Sequence, residues 1–438
     1  MLKKFILGIV LFGLFIYWTQ NQGTSHPNAP TGVATQKYPI IAEFSQPNFK
    51  IINAYSSLPE FETIDDQVNQ FLEQWEIKGA SLAIVKDGKL VYSKGFGFAD
   101  KEKGVEAQPY HQFRIASVSK LFTAVGIMKM VEEGKIKLDD KVFGEKGILP
   151  EYKDIADPLA YKIEVEHLLN HTGGWRNELR TDPMFVPVLV AEVMKVKNPI
   201  TFEQTLQFML SQKGMFEPGT LYDYSNFGYC LLSKIIEKKS GLTYEKYMQE
   251  KILNPIGVNR MRITKNSYKD KHPNEVRYYD HKKAEKNLSI YGTGDSVSRV
   301  YEGTNTEALS GAGGWIASSV DLMRFLVAID GFDTKPDMLK PETIQRMVNA
   351  TFSVNDTTSV QRSLGWKRID AEKWWRTGSL ESTGISLVRR NDGFSWVFVT
   401  NTGSWRGPFF SYEIEGLMRR IMKSVKKWPE RDLFELIN

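Results

Sequence analysis

Residues 113–135, FRIASVSKLFTAVGIMKMVEEGK, hold Val118, Leu121, Phe122, Val125 and Met128 at the spacing of a helix with one buried face, and Gly134 sits where such a helix stops. This spacing puts Ser117 at the helix N-terminus. Backbone N–H groups in a first helical turn lack intrahelical partners, and the helix dipole adds partial positive charge, so an oxyanion forming beside Ser117 is stabilised. Lys120, three residues on, falls on the same side. A serine hydroxyl is a poor nucleophile until a base takes its proton, and a lysine does so only if its pKa falls from about 10.4 toward 7 or 8. Burial beside an apolar helix face shifts it in that direction. Ser-x-x-Lys alone is short enough to arise by chance. It recurs at Ser424 and Lys427, in the basic stretch SVKKWPE, where it reads as a solvated helix end.

Working outward, the pattern DDQVNQFLEQW (65–75) predicts an amphipathic helix starting near Ile64. SLAIV (81–85) and LVYSKGF (90–96) flank a Lys-Asp-Gly-Lys turn and predict a hairpin. Helical patterns then dominate to about Gly257, whereas residues 264–306 are polar and tyrosine-bearing, lack periodicity and read as a surface insertion. The helix SVDLMRFLVAI (319–329) precedes four strand-like segments: SLGWKRI (363–369), EKWWRTG (372–378), STGISLVRR (382–390) and FSWVFVTNT (394–402), the last two joined by an Asn-Asp-Gly turn. A final amphipathic helix covers about 412–425. Early strands, a helical middle and late strands predict an α/β (α+β) fold, with one antiparallel sheet made from N- and C-terminal segments and flanked by helices. A mainly helical lobe, about 135–310, is inserted between the two halves of that sheet.

Composition narrows the function classes. The 438 residues are enough for a sizeable core. Their 57 basic and 52 acidic side chains are interspersed, without the concentrated basic stripe that nucleic acid requires. Cys230 is the sole cysteine, so neither an intramolecular disulfide nor a thiolate metal cluster can form, and its apolar neighbours mark it as a core residue. His167 and His171, at helical spacing in VEHLLNHTGGW, lack the glutamate directly after the first histidine that a helical zinc-hydrolase motif needs, since Leu168 stands there. They read as structural, and no metal or cofactor is expected. Residues 1–20 set Lys3 and Lys4 ahead of an unbroken apolar run from Phe5 to Trp18, the order of an export signal. Fourteen helical residues reach only about 21 Å against a hydrocarbon core of about 30 Å, which favours a signal peptide. Without a clean A-x-A site, an uncleaved membrane anchor with Tyr17, Trp18 and Thr19 at the interface stays open. Residues 21–60 are rich in Pro, Asn, Ser, Thr and Gln and read as a polar tether, ahead of a body at 61–430.

Two further motifs accompany Ser117. Tyr224-Ser225-Asn226 lies at a turn before the apolar helix that follows FEPGTLYDYSNFGY, where Ser225 or Asn226 would also make a good helix cap. Arg376-Thr377-Gly378 lies in EKWWRTGSLESTGISLVRR, between strand patterns. Ser-x-x-Lys, Tyr-x-Asn and Arg-Thr-Gly in this order resemble the three motifs of penicillin-recognising serine enzymes. The Tyr-x-Asn form resembles the class C β-lactamase branch, which also holds D,D-peptidases, D-aminopeptidases and carboxylesterases. EVEHLLNHTGGW (164–175) and GAGGWIASSVDLMRF (311–325) are similar in phrasing, and the resemblance spans roughly Ile64 to Arg420.

The resemblance implies a β-lactamase-like fold and an acyl-enzyme on Ser117. Lys120 is then its base or proton partner and Tyr224 the shuttle to the leaving group and from water. By the same carry-over Asn226 contacts the substrate amide, Arg376, Thr377 and Gly378 form the facing edge strand, and the backbone N–H of Ser379 completes an oxyanion hole with that of Ser117. The implied substrate is a small molecule or a peptidoglycan-like peptide, met outside the cytoplasm. Arg376 departs from the usual lysine or histidine: a guanidinium stabilises charge and binds carboxylates but does not exchange a proton at neutral pH. That departure puts β-lactamase activity in doubt and motivates the alternative of a non-catalytic cell-wall or partner-binding module. His171-Thr172-Gly173 is a rival third motif, set aside because it follows a helical pattern and precedes Tyr-x-Asn. No Gly-x-Ser-x-Gly elbow occurs. Of Trp374 and Trp375, strand alternation sends one toward the site or leaves both structural.

Overall fold

The Lys86-Asp87-Gly88-Lys89 turn forms as its sequence demands, with Asp87 at φ 48° and Gly88 at φ 74°, the left-handed pair that matches the twist of a two-residue hairpin. It joins β1 (Gly79–Lys86) to β2 (Lys89–Asp100). The computed structural model describes residues 51–176, 182–349, 351–355, 358–361 and 363–437. The segment expected to direct export and most of the expected tether, residues 1–50, lie outside the described residues.

Five more strands complete the main sheet: β3 (Val105–Glu106), β4 (Arg368–Ile369), β5 (Lys373–Leu380), β6 (Thr383–Arg390) and β7 (Phe394–Thr400). They are ordered β4-β5-β6-β7-β1-β2-β3, all antiparallel. The N- and C-terminal halves therefore meet where β1 pairs with β7, Ala80 opposite Thr400 through Lys86 opposite Phe394. SLGWKRI yields only the two residues of β4. Leu364, Gly365 and Trp366 ahead of it are buried, with Gly365 at φ 90°, a conformation that stops a strand.

Side chains alternate across the sheet with period two. Leu82, Ile84, Val388, Trp396 and Phe398 face one apolar layer, built from α1 (Glu62–Gln74) and α5 (Phe410–Ser424). Phe71 of α1 stacks on Phe410 of α5 with centroids 5.7 Å apart. Ala83, Val85, Ile385, Leu387, Val397 and Val399 face the larger core. That core holds α2 (Ser119–Glu132), α3 (Asn226–Ser240) and α4 (Ser319–Val327).

Helix α2 differs from the amphipathic reading. Every residue from Ser119 to Met128 is buried, because the helix is enclosed on all sides. Phe122 stacks on Phe325 of α4 at 3.8 Å, worth about 0.5–1.5 kcal/mol beyond its buried area. The polar residues among them are satisfied in place: Thr123 Oγ1 donates to Gly311 O at 2.7 Å, and Ser119 Oγ accepts from Trp315 N at 3.3 Å.

Residues 264–306 are also more than a surface insertion. They wrap the buried side chain of Arg114, which donates to Thr264 Oγ1, Val300 O and Lys265 O at 3.1, 2.6 and 2.8 Å, while Tyr278 Oη accepts from its backbone N at 2.7 Å. These anchors are polar and irregularly spaced, so no periodicity announces them. The described body also begins earlier than the tether reading placed it. Ile51 is fully buried, and the Asn53 side chain bonds Gly95 and Ala107.

Candidate active site

Ser117 lies in a tight turn, Ala116–Val118, that leads directly into α2. Ala116 takes φ 46°, an uncommon conformation for a residue with a Cβ, and the half-buried Ser117 side chain follows it. Small side chains let β5 approach this turn closely. A Cβ at Gly378 would lie 2.6 Å from Ile115 O, 2.7 Å from Ile385 Cγ2 and 3.0 Å from Ala116 Cβ. Because β4 pairs only with Trp374 and Trp375, the β5 edge from Arg376 onward is left for the turn to pack against. Gly378→Ala is therefore expected to cost about 1–3 kcal/mol of stability through overpacking. A Tm equal to that of the parent in thermal unfolding would contradict this packing.

Ser117 Oγ is met by two side chains. Tyr224 Oη donates to it at 2.8 Å, and Lys120 Nζ lies 3.4 Å away. Arg376 fixes the same turn from the strand side, Nε donating to Ser117 O at 2.8 Å and Nη2 to Tyr224 Oη at 3.1 Å. Lys120 Nζ also donates to Asn226 Oδ1 and Ala312 O, both at 2.6 Å. Tyr224 reaches the site because Ser225 caps α3, its Oγ accepting from Gly228 N at 3.0 Å, so the chain enters the helix with Tyr224 one residue ahead of the cap. Tyr224 and Arg376, remote in the chain, thus converge with Lys120 around one serine.

Charge is concentrated here. Lys120 is fully buried, and that loss of hydration holds its ammonium below the ordinary value; the Tyr224 phenol opposes the shift and the Arg376 charge deepens it. Burial alone would raise the Tyr224 phenol. The charges of Lys120 and Arg376, with hydrogen bonds to Lys120 and Ser117, outweigh it and bring the phenol down to about 8.

The remaining expected residues are placed as follows. Asn226 turns its amide NH₂ to Asp182 Oδ2 at 2.7 Å, so its carbonyl oxygen is the atom committed to Lys120. Thr377 Oγ1 accepts from Lys367 Nζ at 2.9 Å. Ser379 stands opposite Gly384 in the β5–β6 pairing, one residue past the close approach at Gly378. Cys230 is buried in the core, with its thiol pushed up to about 12 by burial. Trp374 packs against Trp366 and Arg389, and Trp375 lies against Lys373 and Arg368. No group of three or more metal-ligating side chains occurs among the described residues.

Four contributors were not singled out for this site from the sequence: His171, Asp182, Lys367 and the carbonyl of Ala312. The two histidines do not share a helix face, because the helix ends at Leu169 and His171 takes φ 64°. His167 instead accepts from Glu164 N in a capping box. His171 stacks behind Tyr224 with centroids 4.4 Å apart, and its Nδ1 accepts from Ser225 N at 3.2 Å. His171 was weighed as a third motif; its place is beneath the second. Asp182 and Ala312 act through local geometry and leave no motif.

The fold recurs in known proteins. Protein flp of Staphylococcus aureus (strain COL) is 29% identical over 211 residues, 48% of this chain and 40% of its own length, so the match spans less than half of that relative. PbpX of Bacillus subtilis (strain 168), named as a penicillin-binding protein, is 26% identical over 334 residues, 74% of each chain. The octameric penicillin-binding protein homologue from Pyrococcus abyssi superposes with a TM-score of 0.62 at 25% identity, covering 84% of this chain and 79% of its own. D-amino acid amidase from Ochrobactrum anthropi SV3 shares the fold with a TM-score of 0.63 at 23% identity, covering 84% and 97%. The model of the family described as Beta-lactamase matches residues 64–411, most of the chain, and this protein belongs to that family.

Proposed function

We propose that this chain is a serine hydrolase that forms an acyl-enzyme on Ser117. The observation that carries the proposal is the hydroxyl of Ser117 held 2.8 Å from the Tyr224 phenol and 3.4 Å from the Lys120 amine, with a buried arginine alongside. Tyr224, as phenolate between two cations, takes the Ser117 proton as Oγ bonds to the substrate carbonyl carbon. The tetrahedral oxyanion accepts from the backbone N–H groups of Ser117 and Ser379, where a lost donor typically costs about 10²–10³ in rate. Tyr224 then protonates the leaving group, and the carbon–heteroatom bond breaks. Water, deprotonated by the same phenolate, attacks the acyl carbon; the bond to Ser117 Oγ then breaks, Tyr224 returns the proton to Oγ, and the acid leaves.

Lys120 keeps its proton in this scheme. Two carbonyl oxygens at 2.6 Å favour the ammonium, whose charge in turn eases ionisation of Tyr224. Asn226 serves Lys120 through its oxygen, while Asp182 holds the other end of the amide. Arg376 supplies charge and no proton. Esters, whose leaving groups need least protonation, should therefore be cleaved more readily than β-lactams. Lys3, Lys4 and the apolar run at 5–18 support action outside the cytoplasm, at the cell surface or in the periplasm.

Turnover of a short-chain nitrophenyl ester and of nitrocefin by the purified protein tests the ranking. Ester turnover exceeding nitrocefin turnover is expected, and the reverse order overturns it. Neither reaction, with no covalent labelling, would restore the non-catalytic binding module.

A further inference from the structure

Among the described residues, the Lys120 ammonium is paired with no carboxylate. It donates to Asn226 Oδ1 and Ala312 O at 2.6 Å and to Ser117 Oγ at 3.4 Å. The titratable and charged groups that face it are Tyr224, Arg376 and the buried Cys230, with the Tyr229 ring 5.6 Å from Nζ. Ala312 O belongs to the backbone and stays in place. The Asn226 amide can turn: rotation about one bond exchanges its oxygen and nitrogen, and only its partners decide which end faces Lys120.

Asp182 makes that decision. Its Oδ2 accepts from Asn226 Nδ2 at 2.7 Å, and its Oδ1 accepts from Met184 N at 3.0 Å as the cap of the turn Pro183–Phe185. Pro183 and Met184 are buried, Met184 in the main core, so this turn presents both carboxylate oxygens at fixed positions. A carboxylate is acceptor-only, so the end of the Asn226 amide that meets it must be the NH₂. The oxygen is thereby delivered to Lys120. Turned round, the amide would set its oxygen against a carboxylate and its N–H groups against an ammonium.

We infer that Asp182 is a positioning residue for the reaction. By orienting the Asn226 amide it keeps an acceptor on Lys120, and so keeps a positive charge beside Tyr224 and Ser117; this rests on the Ser117 hydrolase reading. Asp182 then has two separable duties. As a cap for Met184 N, serine or asparagine would serve about as well as aspartate. Orienting Asn226 is more demanding, because no donor can stand where Oδ2 stands.

The test compares Asp182→Asn with Asp182→Ser in the full chain. Both retain a cap for Met184 N. In Asp182→Asn that N–H claims the oxygen of the new amide, which leaves its NH₂ in the place of Oδ2, facing Asn226. Asn226 must then give up this bond or turn and present N–H to Lys120. The serine hydroxyl is engaged at the cap and presents no such donor. With a short-chain nitrophenyl ester, kcat/KM should therefore be about tenfold lower in Asp182→Asn than in Asp182→Ser, the effect of one hydrogen bond to a charged group. In an Asn226→Ala background, which has no amide to turn, the two should become equal. Where turnover is slow, the rate of fluorophosphonate labelling of Ser117 reads the same comparison, and thermal unfolding reports the folded fraction of each variant. Asp182→Asn as active as Asp182→Ser, or more so, would reduce Asp182 to a cap and overturn the inference. A difference that persists without the Asn226 amide would overturn it too. Absence of both turnover and labelling in the parent would instead fail the hydrolase reading, and this inference with it.

Discussion

Replacing Ser117 by alanine is expected to lower ester turnover by about 10⁴–10⁶, the range seen when a nucleophile is removed from a site whose other parts remain. The reason is local. Ser117 Oγ is the atom on which Tyr224 and Lys120 converge, and no other serine among the described residues shares that arrangement. Ser424 of the second Ser-x-x-Lys donates to Ile421 O at 2.9 Å and accepts from Gln67 Nε2 at 3.1 Å at the end of α5, so it cannot substitute. Stability should change by less than about 1 kcal/mol, since a half-buried hydroxyl is traded for a hydrogen. Steady-state kinetics and thermal unfolding measured together check both halves. Turnover within tenfold of the parent would place the nucleophile elsewhere.

Tyr224→Phe and Lys120→Ala should each reduce kcat/KM by about 10²–10⁴, because the first removes the group proposed to move the proton and the second a charge that lowers its pKa. Their pH profiles separate the two roles. The Tyr224 phenol is drawn down to about 8 by the Lys120 and Arg376 charges against the opposing effect of burial. In the proposed scheme the phenolate is the base, so kcat/KM of the parent should rise with pH through about 8 and level off above it. In Tyr224→Phe that rising limb should vanish. In Lys120→Ala one of the two charges that lower the phenol is gone, so the limb should move to higher pH. The tyrosine and lysine titrate as a pair, and the inflection belongs to both. A parent-like limb in Tyr224→Phe would remove the phenol from the mechanism.

Much of this architecture was legible because it is periodic or punctuated. The hairpin 79–100 is written by alternation around Asp87-Gly88, and the late strands by alternation around Asn391-Asp392-Gly393. Pairing of β1 with β7 followed from strands at both ends of a helical middle. Ser117, Lys120 and Tyr224 were legible for a different reason: their motifs state which backbone turns must carry them. Ser225 caps a helix and Ala116 turns the chain, so local geometry aims the neighbouring side chains.

What escaped the sequence is held by contacts that no period encodes. Arg114 organises residues 264–306 through carbonyls and single hydroxyls, and such acceptors leave no compositional trace. The complete burial of α2 depends on what packs around it, and Ser119 and Thr123, polar at core positions, disguised it as an amphipathic helix. Lys367 was assigned to a strand of seven residues that shrinks to two, leaving its side chain at a cavity mouth. His171 carried a visible motif whose partner, the Tyr224 ring, is 53 positions away in the chain and identifiable only in three dimensions.

The central claim is a covalent bond to one oxygen. Incubating the protein with a fluorophosphonate, digesting it and mapping the adduct by mass spectrometry reads that bond directly. A single phosphonylated peptide containing Ser117, absent from Ser117→Ala, is the predicted result. An adduct on any other residue, or none from a folded protein that still turns over ester, would contradict the account.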